Sequence, residues 1–278
     1  MDSGQSCSGQ VAVVTGAGRG IGRAVAVALA EAGADVALVA RSPEQVLTTA
    51  ELVRTAGREA LALRADVTDQ SAVEDAIGLT LDRFGAIDLL VNNAGANGVF
   101  GPLWESPPEQ WWRDVTVNLY GPFLCCAAVL PSMIDRGSGR IVNIVSGTAG
   151  RPFPYNSAYA ASKAALVRLT DCLAAETAEH SVSVFALGPG TIRTDISLGL
   201  ERSELGRKWL GTAIDQLRFI DPEVPAGAVV FLASGAADEL SGRWLDAADD
   251  LPVLVSHAAT VRTDDLFQLR RSKLPVPG

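Results

Sequence analysis

Histidine is nearly missing from this chain: His180 and His257 are the only two in 278 residues, and neither falls in a motif. Histidine-based catalysis is therefore not expected, and with no His/Cys/Asp/Glu group at ligand spacing neither is a metal site. Cysteine is equally sparse. Cys7, Cys125, Cys126 and Cys172 lack zinc-type spacing and adjacent cysteines rarely pair, so all four are expected as small core or interface residues. Runs of lysine or arginine are absent and the formal net charge is −9, which repels a phosphate backbone; nucleic acid is not an expected partner. Residues 1–6 carry neither a basic start nor an apolar segment, so no secretory leader is expected and the protein is expected in the cytoplasm. The most apolar stretch, residues 123–134, is far short of the roughly 20 residues of a membrane helix and contains Pro131. It predicts a buried helix and no membrane partner. Without a Gly/Ser linker or a repeat, one domain is favoured over two.

What is present is a regular alternation. Apolar runs at residues 10–15, 35–40, 59–64, 87–91, 140–145 and 182–187 predict strands, and residues 21–32, 43–56, 70–84, about 110–135 and 158–179 predict the helices between them. A seventh strand is expected near 242–246, after a helix at 223–233. The strands are continuously apolar, as burial on both faces demands, so the fold class is α/β with a parallel sheet flanked by helices. The domain is expected to span 9–250. Within it, residues 191–221 have weak periodicity and follow Gly188-Pro189-Gly190, which predicts a mobile lid. Residues 251–278 are expected as a C-terminal extension docked on the same domain or on a neighbouring subunit, with Arg270, Arg271 and Lys273 available for that contact.

Tyr159 and Lys163 stand four residues apart, thirteen residues after Ser146. On a helix, positions i and i+4 share a face, so a phenol and an ammonium can address one bound molecule. A nearby cation is expected to draw the phenol's pKa down and make Tyr159 a usable acid or base. Ser146 ends an apolar run that would deliver its hydroxyl to the carboxyl edge of the sheet, where open α/β sheets bind ligands. Near the start, Gly16, Gly18, Gly20 and Gly22 follow a strand and open a helix. Glycines there let the backbone approach a pyrophosphate, and the N–H groups of the helix start attract it.

With these elements, together with Asp66, Asn92-Asn93-Ala94-Gly95, Asn118, and Pro189-Gly190 with Thr194, the chain resembles the short-chain dehydrogenase/reductase family over roughly residues 9–247. The resemblance implies a single Rossmann-type, doubly wound domain with a seven-stranded parallel sheet, and hydride transfer between a nicotinamide and a carbonyl or alcohol carbon. It also implies roles. Tyr159 is the general acid/base, Ser146 holds the substrate oxygen, Lys163 tunes the tyrosine and binds the nicotinamide ribose, and Asn118 completes a proton relay through a bound water. Cofactor contacts are implied at Gly16, Arg19, Gly20, Ile21, Gly22, Arg41, Ser42, Asp66, Val67, Asn92, Ala94, Gly95, Pro189, Gly190, Ile192 and Thr194.

The second strand ends Val39-Ala40-Arg41-Ser42, without the carboxylate that would repel a 2′-phosphate. Arg41 and Arg19 can pair with that phosphate, so NADP(H) is expected over NAD(H). Asn97, Phe100, Gly147, Thr148, Phe153, Tyr155 and Trp209 are the expected substrate-pocket residues, a largely aromatic set that suits a neutral, bulky ketone or secondary alcohol. The expected activity is an NADP(H)-dependent ketone reductase acting as a homodimer or homotetramer, with one interface on the helices after the fourth and fifth strands. Two alternatives stay open: an NAD-linked alcohol dehydrogenase, and a non-catalytic NADP-binding regulator.

Overall fold

The computed structural model describes residues 6–270. In chain order its elements are β1 (Val11–Thr15), α1 (Gly20–Glu31), β2 (Asp35–Ala40), α2 (Pro43–Thr55), β3 (Ala60–Arg64), α3 (Gln70–Phe84), β4 (Leu89–Asn92), α4 (Pro108–Val115), α5 (Gly121–Arg136), β5 (Gly139–Ile144), α6 (Ser157–Glu176) and β6 (Val182–Gly188). The chain continues with β7 (Thr191–Ile192), α7 (Asp195–Arg202), α8 (Glu204–Asp215), β8 (Phe219–Ile220), α9 (Glu223–Ala233), β9 (Trp244–Asp246), α10 (Leu251–Ser256) and α11 (Ala258–Thr263). Seven strands pair in the order β3-β2-β1-β4-β5-β6-β9, and every pairing is parallel. The order reverses beside β1, so β1 and β4 flank the crevice in which such sheets bind ligands.

The strands sit where their apolar runs placed them. Side chains of β1, β2 and β4 alternate between two buried clusters, one against α1 and α9, the other against α3 and α5. Burial on both faces is why these runs do not alternate with polar residues.

The long helix expected near 110–135 is a composite. A π-helical turn, Thr116–Tyr120, joins α4 to α5. Pro122 has no N–H to give the carbonyl of Asn118 one turn back, and the Gly121 N–H reaches Thr116 instead. Taken together, Pro108–Arg136 is one helical stretch of 29 residues, long and apolar enough by length and composition to cross a membrane. Its length corrects the shorter run read from sequence. One side of it, Leu124, Cys126, Val129 and Met133, is packed in the core.

The segment 191–221 is more ordered than its pattern suggested: β7 pairs with β8, and α7 and α8 lie between them. A reciprocal capping box at Thr194 and Ser197 starts α7, and the Ser203 hydroxyl caps α8. The described part of the C-terminal extension, residues 251–270, packs on its own domain. Leu251, Ala258 and Val261 are buried in the core cluster of α1 and α9, and the Trp244 N–H on edge strand β9 donates to the Phe267 carbonyl at 2.7 Å. Arg270 pairs with Asp171 of α6 at 2.7 Å and with Asp265 at 2.6 Å. Arg271 and Lys273 lie outside the described residues. Cys7, Cys125 and Cys126 are buried and Cys172 is exposed, all as free thiols.

Candidate active site

The cradle forms where β1 turns into α1. Gly16 and Gly20 hold φ of 64° and 54°, in the left-handed region that favours glycine. A Cβ on Gly16 would lie 2.8 Å from Asn93 Nδ2, and one on Gly22 would lie 2.3 Å from the Gly16 carbonyl oxygen. Gly22 therefore packs the helix onto the turn and lies behind the cavity wall. Among the described residues no side chain caps α1 and its first turn carries no acid, so its N–H groups and dipole are left for an anion. Thr15 Oγ1 fixes the neighbouring segment by accepting from the N–H groups of Asn93 at 3.0 Å and Ala94 at 3.1 Å.

A cavity of about 620 Å³ runs from this turn across the carboxyl edge of the sheet. Gly16, Arg19, Gly20, Ile21, Arg41, Ser42, Asp66, Val67, Ala94, Gly95, Pro189, Gly190, Ile192 and Thr194 line it, as do Ser146, Tyr159 and Lys163. Asn92 does not. It is buried between strands, with Nδ2 donating to Asn143 Oδ1 at 2.9 Å. Arg41 Nη1 stands 3.9 Å from Asp66 Oδ2, and Arg19 pairs with Asp195 at the start of α7, joining the glycine turn to the lid. Both pairs are largely exposed and contribute little to stability, which leaves the two guanidiniums free to exchange partners.

Ser146 follows β5, and its Oγ accepts from the N–H and hydroxyl of Thr148 at 3.3 and 3.1 Å. Lys163 on α6 is buried; its Nζ donates to the Ile144 carbonyl at 2.8 Å and lies 5.9 Å from the centre of the Tyr159 ring. Burial lowers the Lys163 pKa to about 8. Burial likewise raises that of Tyr159, offset in part by the Ser146 hydroxyl. The lysine was expected to draw the phenol down; burial raises it instead, and the Ser146 hydroxyl is what opposes that rise. The phenol is therefore neutral near pH 7, the state from which a proton can be given.

Asn118 sits in the π turn, fully buried and outside the cavity lining. Its Oδ1 accepts from the Ala96 N–H at 2.8 Å, and its Nδ2 donates to the Ala96 carbonyl at 2.8 Å and to Ser162 Oγ at 3.1 Å. The side chain thus clamps the loop after β4 to α6. Its use in a relay is not visible in these bonds.

The expected substrate residues divide. Asn97 and Phe153 line the cavity. Phe100 packs with Leu200, Leu210 and Ile214 under the lid, and Trp209 joins that cluster from its edge. Tyr155 stacks on Trp209 with ring centres 4.9 Å apart. Gly147 starts a short turn after Ser146, and it, Tyr155 and Trp209 lie outside the lining. Thr148 lines it as expected, and residues missed in the sequence do so too, among them Asn156, Leu200 and Leu217. Asn156 had a legible signal, since it lies three residues before Tyr159 and so on the same helix face. The lid leucines did not, because their inward direction depends on α7 and α8 forming.

A family model described as short chain dehydrogenase matches residues 10–204. The chain is 34% identical over 270 residues to the short chain dehydrogenase pigC of Monascus ruber, covering 95% of this chain and 86% of that one. Among solved structures, levodione reductase superimposes with a TM-score of 0.81 at 32% identity, over 90% of this chain and 98% of that one. An NAD+-bound xylitol dehydrogenase superimposes with a TM-score of 0.78 at 32% identity, over 86% and 98% of the respective chains. On the family match and this likeness, the chain belongs to the short-chain dehydrogenase/reductase family of oxidoreductases.

Proposed function

We propose that this enzyme is an NADP(H)-dependent reductase of neutral, bulky ketones, acting in the cytoplasm, where a reduced NADPH pool favours reduction. The observation that carries the cofactor choice is the end of β2, where Arg41 and Ser42 line the cavity with Arg19 beside them and no carboxylate follows the strand. The glycine turn fits a dinucleotide, since Gly16 and Gly20 bring bare backbone to the cavity and the first N–H groups of α1 are left uncapped by any side chain among the described residues. A reduced nicotinamide held by that turn would supply hydride to the carbonyl carbon. Ser146 and Tyr159 hold the carbonyl oxygen and stabilise the charge that develops on it. Tyr159 would then give its proton to that oxygen, and the buried Lys163 would hold the ribose and keep a positive charge beside the phenol. Asn118 acts by keeping the loop after β4 against α6.

Changing Arg41 to glutamate tests the cofactor assignment. Pairing with the 2′-phosphate is replaced by repulsion, so NADPH kcat/KM is expected to fall by about 10²-fold while NADH changes by less than about threefold. Steady-state oxidation of each cofactor measures both, and an unchanged NADPH value removes Arg41 from the site. The NAD-linked alternative draws support from the NAD+-bound xylitol dehydrogenase likeness; preference for NADH in the unmodified enzyme would establish it.

We further propose a homo-oligomer, dimer or tetramer, built on the outer face of the π turn. Trp112, Tyr120 and Phe123 are 64%, 43% and 48% exposed there. With Val115, Leu119 and Leu169 they form an apolar hollow of the kind that is rarely left to water. Sedimentation of a Phe123→Asp variant is expected to give the monomer mass; an unchanged mass would place the interface elsewhere.

A further inference from the structure

The start of the glycine-turn helix and the start of the lid meet at one point. A Cβ on Gly20, which opens α1, would lie 3.2 Å from Thr194 Cγ2, and Thr194 caps α7. Two helix N-termini therefore stand side by side on the cavity wall, each with the positive end of its dipole at that point. Arg19, at the N-cap of α1, adds a full positive charge to them. Asp195, the first residue of α7, answers it with an ion pair.

Helix capping does not require that carboxylate to face Arg19. A first-turn acid favours the α7 dipole without any partner, and the cap itself is closed by the reciprocal box of Thr194 and Ser197. Among the described residues the Asp195 side chain bonds only Arg19, and the Arg19 side chain bonds only Asp195. Asp66 is placed differently toward Arg41. Its Oδ1 accepts from the N–H and hydroxyl of Thr68 at 3.0 and 2.8 Å, and its Oδ2 stands 3.9 Å from Arg41, beyond hydrogen-bond reach. Arg19 and Asp195 both line the cavity, with Arg41 and Ser42. A phosphate monoester brought to this wall meets Arg19 as a partner and Asp195 as a like charge, and with close to two negative charges it displaces a single carboxylate from the guanidinium.

We propose that Asp195 competes with the 2′-phosphate of NADP(H) for Arg19, and so sets how tightly, and how selectively against NAD(H), the cofactor is held. This rests on the NADP(H) reading of the same cavity. Entry of NADP(H) exchanges the Arg19–Asp195 pair for an Arg19–phosphate pair, and the carboxylate left beside it weakens the complex. NAD(H) has no 2′-phosphate and leaves the pair in place. Removing the charge at Asp195 therefore strengthens binding, whereas loss of a merely structural contact weakens it.

Fluorescence titration with NADPH and with NADH tests it. Asp195→Asn is expected to bind NADPH about fivefold more tightly than the unmodified protein and NADH within about twofold. Asp195→Ser is a second neutral variant with the same expected gain, and melting curves establish that each variant folds. Asp195→Glu keeps the charge and is expected to stay within about twofold for both cofactors. Because the paired side chains are 55% and 52% exposed, the gain is expected to shrink to about twofold or less in about 0.5 M sodium chloride. In an Arg19→Met background Asp195→Asn is expected to bring less than about twofold, which isolates the pair from the rest of the wall. NADPH affinity that is unchanged or weaker in both neutral variants overturns the proposal and leaves the NADP(H) reading standing. So does an equal gain for NADH, or a full gain without Arg19. An unmodified protein that binds NADH more tightly than NADPH overturns the NADP(H) reading, and the proposal with it.

Discussion

Replacing Tyr159 with phenylalanine is expected to lower kcat/KM for ketone reduction by about 10³-fold or more while leaving NADPH affinity within about threefold. Two contributions act together. The substitution removes a proton donor, worth about 10²–10⁴ in rate, and one of two hydroxyls aimed at the developing oxyanion. The fold should tolerate the change, because the ring keeps its place on α6 and only the hydroxyl is lost. Affinity for the cofactor should persist, because the cradle at Gly16 and Gly20, Arg19 within it and Arg41 at the end of β2 are untouched. Steady-state kinetics with fluorescence titration of NADPH separates the two quantities. Retained turnover would move the proton to another donor, and Tyr155 is badly placed for that, stacked on Trp209 and outside the cavity.

The second large effect concerns Lys163 and is read in stability as well as rate. Its free pKa of 10.5 falls to about 8 in the fold through burial. Between those values the unfolded chain binds a proton that the folded chain has released, so this group makes stability rise with pH across the window. Below pH 8 it is charged in both states, and the full cost of the buried ammonium is carried. The unmodified protein should therefore gain about 3 kcal/mol on a Lys163→Met variant as pH is raised from 8 to 10.5. Urea unfolding at fixed pH values measures the difference, and the carbonyl of Ile144 left without its donor in the variant adds only a constant. A flat difference would mean that the lysine is better solvated than its position between β5 and α6 implies. The variant should also lose about 10²-fold or more in kcat/KM, since positive potential beside Tyr159 and the grip on the ribose go together. Over the same range, cofactor affinity of the unmodified enzyme should decline as the ammonium is lost, and that of the variant should not.

These two residues also mark how far the sequence could be read. Their spacing alone placed them on one helix face, and the continuously apolar strands placed that helix at the carboxyl edge of a parallel sheet. Patterns that repeat a single physical demand, burial on two faces or one face of a helix, survive translation into structure. The sign of the tyrosine's shift did not, because desolvation depends on everything packed around a side chain and spacing reports only its helical neighbours. The secondary structure of segment 191–221 was illegible for a related reason. Its helices are short and start from side-chain caps at Thr194 and Ser203, signals weaker than an apolar stripe. The π turn at Asn118 arises from Pro122 removing one donor inside an otherwise helical pattern, a local effect that a periodicity average conceals. Phe100 and Trp209 were expected to face the substrate as large aromatics near the motifs. The structure gives them to the lid's own packing and leaves Asn97, Asn156 and Thr148 among the polar groups on the cavity wall.

The most direct test of the central claim is to follow the hydride itself. The enzyme is incubated with NADPH deuterated at the transferable position, in each stereochemical form, together with a neutral ketone, and the alcohol is analysed by mass spectrometry and proton NMR. Deuterium on the carbinol carbon from one form only, abolished in Tyr159→Phe, is the predicted result. An alcohol without deuterium from either form, or bound cofactor that stays reduced with every ketone offered, would contradict it.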